Sequence, residues 1–378
     1  LPRFGQGEGA ESAAADAAVK PSEGGRGSDR DRGDRCGRGG AWGWASGNLA
    51  FLLFSLVALT MPLYLTNSYY LSILAFFAIR LMPTIGLNLL LGQAGQISLG
   101  HAAFIGLGAY GSALLTTRWG LDPWPAMFLA ALLSALVAVV IGVPALRLKG
   151  HYLAMATLGF GEIVLILLIQ LKGLTGGTDG VVGIPPLELG GWSLTDPRLF
   201  HVVVWSAALI MLRMALNLPR TRTGRALIAL HRTEIAASSL GIDVAFHKLQ
   251  VFVVSAVFAS IAGSFLAHYV MFISPEGFGV TLSVLLVAGA VIGGLAGVWG
   301  AVWGAGLMVL LPEVLARYNE DYTLLAFGLL VIVVMIFLPE GLAGAPAKLR
   351  ALRRTPPYTV ASRTQAEPVE ERGSECRS

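Results

Sequence analysis

Residues 86–111 read GLNLLLGQAGQISLGHAAFIGLGAYG, and in the middle of this apolar run Gln93, Gln96, Ser98 and His101 stand among glycines at 92, 95 and 100. Carboxamides and hydroxyls act as neutral hydrogen-bond donors and acceptors, so their chemistry is solvation of polar groups. Inside a bilayer every backbone and side-chain polar group needs a partner, and a break in a span is tolerated only where protein or a wet cavity surrounds it. Glycine-interrupted hydrophobic segments are the sequence mark of a translocation site. Gln93, Gln96 and Ser98 are therefore candidates for lining a pathway; hydrogen bonding to the loosened backbone is the other role that fits them. His101 reads as a packing or capping residue, because no carboxylate accompanies it to form a proton relay.

Two charged residues, Arg80 and Glu162, fall at membrane depth, where charge is costly and points to function. They are expected either to pair as an ion bridge between helices or to line the pathway. Other chemistries find no foothold. Gly106, Gly108 and Gly111 spell GxGxxG, but inside an apolar span with no preceding strand, which is not a dinucleotide site. No G-x-x-x-x-G-K-[ST] occurs, so the chain carries no P-loop, and the six histidines lack HExxH or other ligand spacing. Cys36 and Cys376, one in each polar tail, are the only cysteines, which allows neither a disulfide framework nor a cysteine-based metal site. The chain is expected to be no enzyme, with no metal and no cofactor of its own.

The elements that must position these residues are membrane helices. Hydrophobic residues make up 55% of the 378 and charged residues 13%, with a mean hydropathy of +0.68, far from the composition of a soluble domain. The expected fold is all-α: a polytopic transmembrane permease of about eight to ten spans with glycine-broken or re-entrant segments. Spans need roughly 17 to 25 apolar residues, and ten fit, at about 47–66, 69–91, 96–117, 124–146, 152–171, 199–217, 249–272, 280–297, 299–316 and 322–338. Residues 1–45, polar and beginning at Leu1, are expected to be disordered or a start-site artefact; 46–342 form the transmembrane domain; 343–378 form a polar tail. Placing the Arg-rich N-terminus in the cytoplasm puts Arg147, the inside segment 219–248 and the C-terminal Lys/Arg cluster on the same side, as the positive-inside rule requires. Both termini are thus expected to be cytoplasmic.

Three further segments carry information. The inside stretch TRTGRALIALHRTEIAASSLGI, 221–242, is expected to form one helix from about Arg225 to Leu240, with Gly241 in the left-handed position after it. Its apolar face would hold Leu227, Leu230, Ala236, Ala237 and Leu240. Such a helix can lie at the membrane interface or dock on a cytoplasmic partner, and both readings stay open on these residues alone. The outside loop LTGGTDGVVGIPPL, 174–187, with Gly176, Gly177, Asp179 and Gly180, is either an irregular connector or an external gate or docking site. Gly289, Gly293 and Gly297 recur every four residues, as do Gly300 and Gly304, which is read as close helix packing. GQAG at 92–95 and GLAG at 294–297 form a faint internal echo.

Taken together, GLNLLLGQAGQISLGHAAFIGLGAY, HYLAMATLGFGEI, LTGGTDGVVGIPPL and GRALIALHRTEIAASSLGID resemble the inner-membrane permease subunit of high-affinity branched-chain amino acid ABC transporters, in its M-type form. The likeness covers about residues 65–342. It implies an ATP-driven importer in the bacterial inner membrane, with a second homologous permease, two cytoplasmic ATPase subunits that use the ATP, and an extracytoplasmic substrate-binding protein. It also implies that the inside helix couples to the ATPase, with Arg225, Glu234, Ala236, Ala237 and Gly241 resembling the coupling loop of such permeases, although Ile235 follows the glutamate where the pattern has alanine. Arg80 stands where the resemblance leads one to expect an apolar residue. The rival reading is a self-sufficient ion-coupled secondary transporter or channel, for which Glu162 would be the ion site.

Overall fold

The structure, a computed structural model, describes residues 48–344 apart from positions 66, 149, 190–191, 233, 242, 296, 316–321 and 338–340. Apolar runs that have no water to satisfy their backbone close it on themselves as helices, and each of the ten runs read from the sequence is one. They are α1 (Asn48–Tyr64), α2 (Ser68–Asn88), α3 (His101–Trp119), α4 (Pro123–Ala145) and α5 (His151–Gln170), then, beyond a one-turn α6 (Lys172–Thr175), α7 (Pro197–Asn217). After the short α8 (Arg222–Arg232) and α9 (Glu234–Ser239) come α10 (Val244–Val270), α11 (Val280–Gly293), α12 (Trp299–Leu315) and α13 (Tyr322–Phe337). Among the described residues six stretches are long and apolar enough to cross a membrane: Ser68–Gln93, Pro123–Ala145, His151–Gln170, Pro197–Arg220, Val244–Val270 and Pro275–Gly293. The starts are set by side chains that take up free N–H groups. Asn67 accepts from Tyr69 N, Asp196 from Arg198 N and Asp243 from Phe246 N.

The chain divides into two units. Of the first, residues 1–56, the described part is 48–56, the opening turns of α1. The second, 57–378, contains everything else described. At its centre α3 packs on α10, α4 and α5, while α2 packs on α10, α7 and α12. The α3–α10 contact is close enough that a Cβ on Gly108 would stand 2.0 Å from Ser260 O and one on Gly263 1.9 Å from Ile105 O. Glycine there lets two backbones touch, as in small-residue membrane interfaces. Ser264 Oγ bridges the same contact by donating to Gly108 O at 3.0 Å, and Ser134 Oγ of the adjoining α4 donates to Ser260 Oγ at 2.9 Å.

The connections sort to two ends. At one, β1 (Val181–Val182) pairs antiparallel with β4 (Phe272–Ile273), a second ribbon joins β2 (Glu188–Leu189) to β3 (Trp192–Ser193), and Trp124 Nε1 donates to Glu188 O at 2.7 Å. At the other lie α8 and the breaks that follow α2 and α11. The basic segment around α8 and the glycine-rich outer loop therefore occupy opposite ends, the arrangement the charge distribution predicts. The expected inside helix is described as α8 and α9, with position 233 between them outside the described residues, and Gly241 takes φ +79 as expected after its end. The packing reading of the 289–304 glycines holds for most of them: a Cβ on Gly293 would meet Gly300 O at 2.0 Å and one on Gly304 would meet Gly289 O at 2.1 Å, whereas Gly297 has nothing within 4 Å.

Candidate functional site

The α2 helix does not end cleanly. It passes at Leu89–Gln93 into a single π turn, a local widening that recurs at functional sites, and residues 94–100 are not helical before α3 begins at His101. This leaves main-chain N–H groups without helical partners, and hydroxyls from two other helices supply them. Thr157 Oγ1 of α5 accepts from Leu99 N at 3.0 Å, and Ser283 Oγ of α11 accepts from Ala102 N at 3.0 Å. His101 is buried and bridges the break to α10, with Nδ1 3.3 Å from Ser98 Oγ and Nε2 2.5 Å from Ser255 Oγ. It packs the break against α10, one of the two roles read from the sequence, through side-chain hydrogen bonds alone.

The two glutamines are placed differently. Gln96 is 3% exposed, and among the described residues neither its oxygen nor its nitrogen finds a hydrogen-bond partner; Gln93 Oε1 is likewise buried and unpaired among them. Buried amides without partners are costly and rare, and they mark sites completed by something else. Ser98 is 1% exposed and satisfied by His101, so it shapes the break and does not face an open passage. The echo of the two glycine motifs is a contact: Asn88 Nδ2 donates to Gly294 O at 3.1 Å, and a Cβ on Gly92 would stand 2.4 Å from Leu295 O.

Between the two breaks and α8 lies a cavity of about 480 Å3, whose wall includes Asn88, Gln93, Ile228, His231, Leu295 and Val298. Helix α8 turns Leu227 (0% exposed) and Leu230 (3%) into the protein. Arg225 is exposed, with Nη1 donating to Arg220 O at 2.7 Å, and His231 is exposed on the same helix. Ala237 is buried at 2%, while Leu240, expected on the apolar face, is 80% exposed because α9 ends at Ser239 and the chain turns away. The side chains of Glu234 and Ala236 lie outside the described residues; Gly241 is exposed.

At the opposite end Gly176, Gly177 and Gly180 all take positive φ, and Asp179 is exposed. A Cβ on Gly180 would stand 2.1 Å from Ile273 O, so the outer loop is clamped to the strand after α10 and is more ordered than an irregular connector. The expected Arg80–Glu162 bridge is not formed: each is part-exposed on its own helix, and among the described residues neither enters an ion pair. Charge complementarity pairs such groups on paper, but the helix faces that carry them do not meet. Among the described residues no group of three or more His, Cys, Asp or Glu is placed to hold a metal ion. Asn88, Thr157, Ser255, Ser283, Ile228 and His231 were not singled out from the sequence. Each is a single polar or apolar residue in an ordinary-looking run, and only the hydrogen-bonding amide at the end of the GLN triplet, Asn88, carried a local signal.

Residues 69–337 match the family described as branched-chain amino acid transport system, permease component. The chain is 37% identical over 281 residues to the high-affinity branched-chain amino acid transport system permease protein LivM of Salmonella typhimurium strain LT2 and to LivM of Escherichia coli strain K12, in each case over 68% of this chain and 66% of the relative. It therefore spans slightly less than two thirds of the length of these relatives. It is 26% identical over 285 residues to permease protein LivH of Escherichia coli strain K12, covering 69% of this chain and 90% of the relative. No solved structure matches the chain.

Proposed function

The chain belongs to the family of branched-chain amino acid transport system permease components, and from that membership we propose that it is the permease subunit of an ATP-driven importer. It moves branched-chain amino acids, or a related small amino acid or amide, across the bacterial inner membrane by alternating access. A second homologous permease completes the pathway; that LivM and LivH, two permease proteins, both align with this chain supports a homologous pair. Two cytoplasmic ATPase subunits bind and use the ATP, since this sequence has no P-loop, and an extracytoplasmic binding protein delivers the substrate to the end bearing the glycine loop. Gln93 and Gln96 serve the solute, and Arg225, Glu234 and Gly241 face the ATPase. Both termini are cytoplasmic, which the basic residues around α8 support.

The observation that carries the reading is α8: an amphipathic helix seated by Leu227 and Leu230 at the end where α2 breaks, with Arg225 exposed and Ile228 and His231 on the wall of the cavity beside the break. A helix so placed can pass work between a soluble partner and the break, provided that it contacts the two states of the ATPase unequally. An ion-coupled transporter or channel would need intramembrane carboxylates for its ion; Glu162 is nearly the only candidate, with Glu313 near the end of α12, and family membership favours the importer. The test is uptake of radiolabelled leucine into proteoliposomes holding this chain with its second permease, ATPases and binding protein. Uptake that requires ATP and every partner is expected. Uptake by this chain alone under an ion gradient would overturn the reading.

A further inference from the structure

Helix α8 does not merely share an end with the break after α2; it touches it. Gly95 takes φ +64, and a Cβ there would stand 2.8 Å from His231 Nδ1, so the imidazole lies directly on main chain. His231 and Ile228, one turn apart on α8, share the wall of the 480 Å3 cavity with Asn88, Gly92 and Gln93 of the break. Leu227, a turn before His231 on the same side of the helix, and Leu230 are both buried and seat α8. The surroundings differ sharply in stiffness. The α3–α10 contact behind the break is backbone against backbone, whereas the break consists of a π turn, a non-helical stretch and an amide, Gln96, with both polar atoms unpaired.

We propose that His231 is the positioning residue through which displacement of α8 reaches the break, so that α8 and residues 92–96 move as one body and present or withdraw the Gln96 amide. This rests on the reading of α8 as the ATPase-facing helix. A push is carried by atoms already in van der Waals contact, and here that contact is ring on main chain at the edge of the cavity. His231 meets that condition in a way a long aliphatic side chain would not. Its ring is planar and short, and it bears on an α-carbon that has no side chain to swing aside. The missing Cβ of Gly95 is what allows the ring to reach the backbone, and the left-handed φ of that residue is a conformation glycine adopts without strain.

The experiment compares leucine imported per ATP hydrolysed in the reconstituted complex. His231→Ala is expected to co-purify with the ATPases and to leave ATP hydrolysis running, while uptake per ATP falls at least about fivefold, the low end of couplings between distant sites. His231→Phe, which keeps a planar ring, is expected to restore most of it. A second variant links the two segments: Gly95→Cys with His231→Cys, in a chain whose Cys36 and Cys376 are replaced by serine. Oxidation of that pair is expected to raise uptake per ATP above that of His231→Ala, because the linked segments already travel together. Unchanged uptake per ATP in His231→Ala would overturn the proposal, as would a disulfide that blocks uptake until reductant is added, since the segments would then have to separate in each cycle. Absence of ATP-dependent uptake in the parent complex would instead remove the importer reading itself.

Discussion

The α3–α10 contact and the break after α2 are both central, both rich in glycine, and opposite in construction. In the first, glycine lets two helices touch, and every hydroxyl named there has a partner: Ser264 on Gly108 O, Ser134 on Ser260. In the second, glycine interrupts a helix, hydroxyls from α5 and α11 hold the main chain while one from α10 holds the His101 ring, and among the described residues the buried amide atoms of Gln93 and Gln96 find no partner. One residue type thus builds a rigid dry frame in one place and an unfinished polar site in another. The largest effect that could break this contrast is in the frame. A Cβ at Gly108 lies 2.0 Å from a backbone carbonyl, with no flexible side chain to yield, so Gly108→Leu must part the two helices. Its cost is expected at or above about 3 kcal/mol, the upper range for overpacking. The check is thermal unfolding and size-exclusion of the detergent-solubilised protein; a variant that elutes and melts like the parent would show that the frame is soft.

In the break the sign should reverse. Gln96→Met keeps the volume and removes two unpaired polar atoms. Leaving such groups buried costs about 1–3 kcal/mol, so the variant is expected to be more stable by about 1 kcal/mol and to lose leucine uptake in the reconstituted complex. Stability and activity moving in opposite directions would sharpen the comparison. A destabilised variant would mean that the amide is already satisfied, and a stable variant with full uptake would remove Gln96 from the pathway.

The difference between the regions also explains what could be read in advance. Runs of apolar residues and the cluster Gly92–Gly100 are local signals of composition, so the ten helices and the position of the break were legible in the sequence. The partners of the break were not. Thr157, Ser255 and Ser283 act across 58, 154 and 181 residues, and a lone hydroxyl in an apolar helix is equally suited to bonding its own preceding turn, as Thr116 and Thr117 do. Which face of a helix meets which neighbour is a tertiary matter, and for the same reason the sequence left Arg80 and Glu162 open between an ion bridge and the pathway, and Leu240 was expected on the apolar face of the inside helix. His231, one of six histidines, became distinctive only when the glycine beneath it was in view.

The smallest expected effect separates glycines that spacing alone makes equivalent. Gly289, Gly293 and Gly297 lie four residues apart, yet a Cβ would meet Met308 Sδ at 2.8 Å from the first, Gly300 O at 2.0 Å from the second, and nothing within 4 Å from the third. Gly297 is exposed and its φ is not in the left-handed region. Alanine there fits the native backbone and narrows only the unfolded chain, so Gly297→Ala is expected to raise stability by no more than about 1 kcal/mol and to leave uptake unchanged. Melting of the solubilised protein beside leucine uptake decides it. If Gly297→Ala instead behaves as a packing defect, the α11–α12 turn closes more tightly than seen here, and the second glycine motif belongs with the rigid frame. If stability rises and uptake falls, the turn has to flex during transport, and both glycine motifs belong to the moving part.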